Sequence, residues 1–173
     1  MYHVTKVIQF CYGHRLLNYV GKCRYLHGHN GRVEIELSSE TLDARGMVRD
    51  FNEIQQTIQT WIDRELDHKM LLNRKDPVLP VLKQLGEPLF IMEANPTAEA
   101  ISQLIFEYAV SQGLPVTTVR LWETERSVAT YSLDSRRRVA RGARSGLLRL
   151  AVARTSLRRR GRKTPQRSSS TAA

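Results

Sequence analysis

Cysteine is scarce: the 173 residues hold two, Cys11 and Cys23. Two are too few for a disulfide framework, and a reducing compartment is the simpler setting. Long apolar runs are missing too. None approaches the roughly 18 residues that a membrane-spanning helix requires. The opening Met1-Tyr2-His3-Val4-Thr5-Lys6 reads as the start of a strand, not as a basic-then-apolar signal peptide. A cytoplasmic globular protein with no membrane contact is expected. A third absence is local. Residues 136–173 contain no acid, yet carry 13 of the 27 Lys and Arg residues. Residues 1–135 hold 14 bases against 17 acids, a net charge of −3 inside a total of +10. The basicity belongs to the tail, so the overall charge does not make the whole chain a nucleic-acid binder. The tail also lacks aromatic residues and sustained periodicity. One domain over 1–135 is expected, then a basic, disordered segment over 136–173 with at most a short amphipathic helix at 147–152. About 135 residues bury a marginal core, which favours oligomerisation.

Within 1–135 the apolar spacing alternates between the period of a strand and that of a helix. Tyr2, Val4, Ile8, Phe10 and Tyr12 share one face of a first strand, with Lys6 the exception. Val33, Ile35 and Leu37 alternate with Arg32, Glu34, Glu36 and Ser38, which describes a second strand with one wet face. Asp50 followed by Glu53 resembles a capping box, and Ile54, Ile58, Trp61 and Ile62 then line one side of a helix. The stretch 66–88 reads as irregular, broken by Pro77, Pro80 and Gly86, with room for a short helix over 81–85. Asn95-Pro96-Thr97 opens a second clear helix lined by Ile101, Ile105, Tyr108 and Ala109 and ended by Gly113 and Pro115. Segments 116–124 and 128–133 are rich in β-branched and aromatic residues and read as closing strands, although the Glu125-Arg126 link lacks the usual hairpin glycine. The order β-β-α-α-β-β predicts an α+β fold, an antiparallel sheet with two helices on one face.

The chemistry-bearing residues are ambiguous one at a time. In an extended chain His27 and His29 point the same way and can reach one metal, with His14 at the end of the first strand as a third imidazole. They also share parity with Val33, Ile35 and Leu37, which aims them at the buried face unless Asn30-Gly31 breaks the phase. Cys23 is either a small buried hydrophobe or, beside a dication with Lys22 and Arg24, a base. Cys11, mid-strand, reads as core. Asp67-His68 is either a helix end with a favourable cation or a carboxylate orienting an imidazole for proton transfer. Glu123 has the parity of Val119 and Leu121 and should face inward. There it either pairs with Arg120 or Arg126 or holds a ligand offering two adjacent N–H donors.

Taken together the spacing is specific. Phe10-x3-His14, Cys23-x3-His27-Gly28-His29, Gly46-Met47-Val48-x-Asp50-Phe51, Leu66-Asp67-His68, Asn95-Pro96-Thr97-x-Glu99 and Glu123-Thr124 resemble the 6-pyruvoyltetrahydropterin synthase / 6-carboxytetrahydropterin synthase family. The similarity spans about residues 2–133. The three residues between the cysteine and His-Gly-His look more like the bacterial 6-carboxy branch than the animal 6-pyruvoyl branch. The resemblance implies a tunnelling fold (T-fold) whose barrel is closed by a homo-trimer, commonly stacked as a hexamer. It implies zinc (Zn2+) at His14, His27 and His29, and Cys23 as proton acceptor with Asp67 and His68 as relay partners. It further implies Glu123 holding the pterin, with Thr97, and taking part in the proton relay, and 7,8-dihydroneopterin triphosphate as the substrate that loses triphosphate. Lys22, Arg24 and Lys69 are candidates for the phosphates. The sequence departs from the pattern in Cys11-Tyr12-Gly13, where the family more often has small residues, and in a long segment over 73–93.

Two other classes compete. Gly21-x5-His27-x-His29-x4-Glu34 fits most of a first cupin motif, but no second motif follows, and two long amphipathic helices sit badly in a jelly roll. A non-catalytic RNA-binding protein would act through Arg158-Arg159-Arg160 and its neighbours, binding phosphates without sequence preference.

Overall fold

The computed structural model describes residues 1–134. The readings made for 136–173, including the helix at 147–152, lie outside these residues. Strands β1 (Tyr2–His14) and β2 (His27–Ser39) form an antiparallel pair thirteen residues long, in unbroken register from Tyr2↔Ser39 to His14↔His27. The expected alternation holds along both. Ile8, Phe10, Tyr12 and His14 are buried on one face of β1, and Gly31, Val33, Ile35 and Leu37 on the same face of β2. Lys6, the polar exception, stays on that face and donates from Nζ to Gln55 Oε1 at 2.7 Å. Cys11 is not core. It is half-buried on the opposite face, where its thiol meets Asn30 Oδ1 at 3.1 Å.

The first helical stretch begins at α1 (Phe51–Ile54), passes through a π-helical segment over Gln55–Gln59 and continues as α2 (Thr60–Glu65). Asp50 caps it by accepting from Asn52 N at 2.8 Å. Glu53 does not complete a reciprocal box; it pairs instead with Arg45 and Arg49, each at 3.3 Å. The expected stripe of Ile54, Ile58, Trp61 and Ile62 is buried. At the second long helix, α4 (Ala98–Ser111), Thr97 is the N-cap and accepts from Ala100 N at 3.3 Å. Gly113, at a φ of +75° that suits glycine, ends it.

The segment between these helices departs from expectation. Lys69–Asn73 forms β3 and Leu89–Met92 forms β4, joined by α3 (Leu79–Gln84). β3 runs parallel to β1 and β4 parallel to β3, so the sheet is mixed rather than antiparallel. Apolar runs as short as Met70-Leu71-Leu72 and Leu89-Phe90-Ile91 carry no readable period, which is why sequence pattern missed them. With β5 (Val116–Thr124) and β6 (Ser127–Ser132), the sheet has six strands in the order β4-β3-β1-β2-β5-β6. The Glu125-Arg126 turn needs no glycine because Thr124 Oγ1 accepts from Arg126 N at 3.3 Å.

Ile8, Phe10, Val33, Ile35 and Leu37 from the sheet pack against Ile54, Ile58, Ile62, Ile101, Ile105 and Phe106 from the helices. Each such side chain contributes about 1.5–3 kcal/mol through burial. The opposite face of the sheet is polar, with Arg120 paired to Glu36 at 3.0 Å. A single sheet covered by helices on one side excludes the cupin jelly roll. Among the described residues no helix is long and apolar enough to cross a membrane.

Candidate functional site

Pairing of β1 with β2 places the three histidines together. His14 lies opposite His27 and Tyr12 opposite His29. Asn30-Gly31 does not break the phase, so His27 and His29 stay on the face that further along buries Val33 and Ile35. Ring centroids are 4.5 Å apart for His14 and His27, 5.1 Å for His14 and His29, and 5.2 Å for His27 and His29. One ring nitrogen from each lies within 4.8 Å of the others.

Second contacts select the nitrogens that remain for a ligand. His14 Nδ1 donates to the Pro96 carbonyl at 2.6 Å and His27 Nδ1 to the Tyr25 carbonyl at 2.8 Å. Each Nε2 then carries the free lone pair, the arrangement that orients a metal-binding imidazole. His14 Nε2 is buried with no hydrogen-bond partner. Burial pushes the His14 pKa below its ordinary value, and the neighbouring His27 and His29 add to this. The Pro96 carbonyl and Glu123 act in the opposite sense without reversing it. A neutral, buried, unpartnered nitrogen beside two more imidazoles suits a divalent cation, and three nitrogen donors leave a coordination position open.

A cleft of about 500 Å3 opens over these rings. Its lining includes Cys23, Thr97, Glu99, Glu123 and Ser127. Cys23 sits in a single turn over Lys22–Arg24, its carbonyl accepting from Leu16 N at 2.9 Å. Asn95 clamps the next residue, accepting from Leu17 N and donating to Leu17 O, both at 2.9 Å. The Asn95-Pro96-Thr97 motif therefore does three jobs. It holds the loop leading to Cys23, orients His14 and caps α4.

Glu123 faces inward, as its parity predicts, but it pairs with neither Arg120 nor Arg126. Its Oε1 accepts from the Tyr12 hydroxyl at 2.8 Å and lies 3.8 Å from His14 Nε2. Sequence reasoning placed Tyr12 on the inner face but missed this bond. It also missed Arg15 and Asp76, joined through Nε–Oδ2 at 2.8 Å and Nη2–Oδ1 at 2.5 Å, with the Asp76 side chain fully buried. A lone acid in a loop gives no signal of a partner 61 residues away.

Asp67 and His68 are brought together but not to the cleft. Asp67 Oδ2 meets His68 Nδ1 at 2.7 Å, and Asp67 Oδ1 accepts from Cys11 N at 2.7 Å. The His68 side chain is 78% exposed, and neither residue lines the cleft beside Cys23. Of the phosphate candidates, Arg24 lies over the Tyr25 ring, 4.7 Å from its centroid, and Lys69 approaches Glu65 at 4.0 Å.

The fold and the cleft thus define an α+β domain with a three-histidine candidate metal centre where β1 and β2 meet the N-terminus of α4. The family model described as 6-pyruvoyl tetrahydropterin synthase matches residues 3–134. A 6-carboxy-5,6,7,8-tetrahydropterin synthase from Rickettsia conorii is 34% identical over 131 residues, covering 72% of this chain and 95% of that protein. The protein of the same name from Aquifex aeolicus is 32% identical, covering 75% and 97%. Among solved structures, an uncharacterized protein from Wolinella succinogenes aligns at a TM-score of 0.66 and 27% identity, covering 76% of this chain and 98% of that one. The Caenorhabditis elegans 6-pyruvoyl tetrahydropterin synthase aligns at 0.58 and 22% identity, covering 76% and 94%, a likeness of fold. The chain belongs to the 6-pyruvoyl tetrahydropterin synthase family, an enzyme family built on the tunnelling fold.

Proposed function

We propose that this protein is a 6-carboxy-5,6,7,8-tetrahydropterin synthase, converting 7,8-dihydroneopterin triphosphate with loss of triphosphate and acetaldehyde. The observation that carries the reading is one cleft lined by His14, His27, His29, Cys23 and Glu123. The relatives that carry this name, and the three-residue spacing from Cys23 to His27, favour the 6-carboxy over the 6-pyruvoyl product. Three imidazole nitrogens are a donor set suited to zinc. Zinc bound there would act as a Lewis acid toward the side-chain hydroxyls of the substrate.

The remaining roles fall to the chain's own residues. Glu123, a carboxylate with two acceptor oxygens, receives the paired N–H donors of the pterin edge. Thr97, at the N-terminus of α4, lines the same cleft and contributes to holding the ring. The Cys23 thiolate takes the proton from the substrate side chain. Asp67 orients His68 as the proton relay for that thiol. Neither lines the cleft of its own subunit, so this role requires them to come from a neighbouring copy. Lys22, Arg24 or Lys69 would receive the phosphates. Two free cysteines fit a reducing cytoplasm.

Incubating the purified zinc-loaded protein with dihydroneopterin triphosphate tests the proposal, by identifying the pterin and assaying acetaldehyde. The 6-carboxy product with stoichiometric acetaldehyde is expected. A 6-pyruvoyl product without acetaldehyde would assign the other branch, and recovery of unchanged substrate would overturn the proposal.

A further inference from the structure

Tyr12 stands where the family pattern usually has a small side chain, and it occupies the space behind the cleft. The residue is 3% exposed. It stacks on Phe10 at 5.3 Å between centroids, meets His14 edge-on at 5.3 Å and lies 5.9 Å from His29. The room for it comes from β2. A Cβ added at Gly31 would come within 3.0 Å of Tyr12 Cε1 and 3.4 Å of Phe10 Cε1, so the ring fills the volume the glycine leaves. Packing on these sides gives the phenol one position, and from it the hydroxyl reaches Glu123 Oε1 at 2.8 Å.

We propose that Tyr12 is a positioning residue for Glu123, holding the carboxylate in the orientation that receives two adjacent N–H donors of a planar heterocycle. The inference rests on the reading of Glu123 as the pterin anchor and deepens it. A Glu side chain has three torsions to fix, and Thr124 beside it is exposed at the end of β5. Without a fixed donor the carboxylate would have to be ordered by the ligand, at the expense of affinity. The Tyr12 bond takes up one acceptor position on Oε1. Oε2 and the second lone pair of Oε1 remain for the ligand. Tyr12 does not line the cleft, so it acts through Glu123 and not on the ligand.

The test compares Tyr12→Phe, Glu123→Gln and the double variant in the zinc-loaded full chain, with neopterin as a fluorescent probe. Phe retains the ring contacts with Phe10, His14 and Gly31, so the fold and zinc content should match the parent protein. Tyr12→Phe should weaken neopterin binding about 5- to 10-fold, within the usual range for one hydrogen bond. In turnover it should raise KM by a similar factor and change kcat less. In the Glu123→Gln background the same substitution should change neopterin binding by less than 2-fold. Unchanged binding by Tyr12→Phe, or an equal loss with and without the carboxylate, would overturn the role of Tyr12. If Glu123→Gln itself bound neopterin like the parent, the anchor reading would fail, and this inference with it.

Discussion

A histidine counts as a metal ligand only if its removal costs the metal and spares the fold. His14 sits at the end of β1 with its Nε2 unpartnered, so replacing it breaks one bond, that to Pro96. His14→Ala should lose most of the zinc, by elemental analysis after gel filtration, while far-UV circular dichroism stays close to the parent. Full occupancy would remove His14 from the ligand set. Cys23→Ala separates an enzyme from a zinc-binding scaffold. It should keep zinc and neopterin binding yet lose about 10²- to 10⁴-fold in turnover, the range for a general acid–base group. Loss of zinc would make the thiol a ligand, and full turnover would make it a bystander. Asp76 belongs to stability. Burial raises its pKa, but the hydrogen bonds from Arg15 and Val78 N and the Arg15 charge together hold the carboxyl below its ordinary 3.8. A lowered folded pKa gives stability that is present above the unfolded pKa and lost as pH falls through the folded value. Asp76→Asn should therefore cost about 2 kcal/mol at pH 7. Denaturant titrations should show that difference shrinking below about pH 4. A difference independent of pH would assign the cost to packing.

Among the elements, β1 and β2 carry both the core and the site, and Gly31 is where the two meet. Its neighbours Tyr12, Leu121 and Phe10 are all buried. Gly31→Ala should destabilise by about 1–3 kcal/mol, the cost of overpacking. In a Tyr12→Leu background the cost should fall, because the nearest contact in the parent, Tyr12 Cε1 at 3.0 Å, is gone. Urea midpoints of the four proteins measure this, and strict additivity would show that the ring and the glycine are independent. The outer elements were less legible. The helices at 51–65 and 98–111 carry strong stripes and caps, whereas β3, α3 and β4 run four to six residues each. A segment that short has too few turns or alternations to declare its period, and only pairing along the sheet decides its state.

At the scale of the whole molecule the six-stranded sheet has two edges, β4 and β6. Open edges with half-exposed apolar side chains such as Val128 and Ile91 are sites for pairing. The expected assembly is a homo-trimer or hexamer, measured by light scattering on the full chain and on residues 1–135, with the same number of copies in both. The separation of Asp67 and His68 from their own subunit's cleft adds a sharper outcome. Inactive Cys23→Ala and inactive His68→Ala proteins, unfolded and refolded together, should regain turnover, because mixed assemblies contain some intact clefts. No recovery, or an active monomer at micromolar concentration, would place the relay within one chain. Recognition of RNA through the basic tail remains a separate matter of residues 136–173, for which salt-dependent retention of the full chain but not of 1–135 is the check.

What the sequence by itself determined was whatever repeats along the chain or falls at fixed spacing. The two long strands, the two striped helices, the separation of charge at about residue 135 and the shared face of His27 and His29 are all of that kind. Local sterics impose a period of 2 or 3.6, and side chains on paired strands inherit it. Tertiary structure alone decided the pairs that no period links. Tyr12 meets Glu123 across 111 residues and Arg15 meets Asp76 across 61. Asp67 and His68 join each other but do not line the cleft that holds Cys23. Such pairs depend on which strands become neighbours, and that choice is made by the burial of the whole core, not by any one segment.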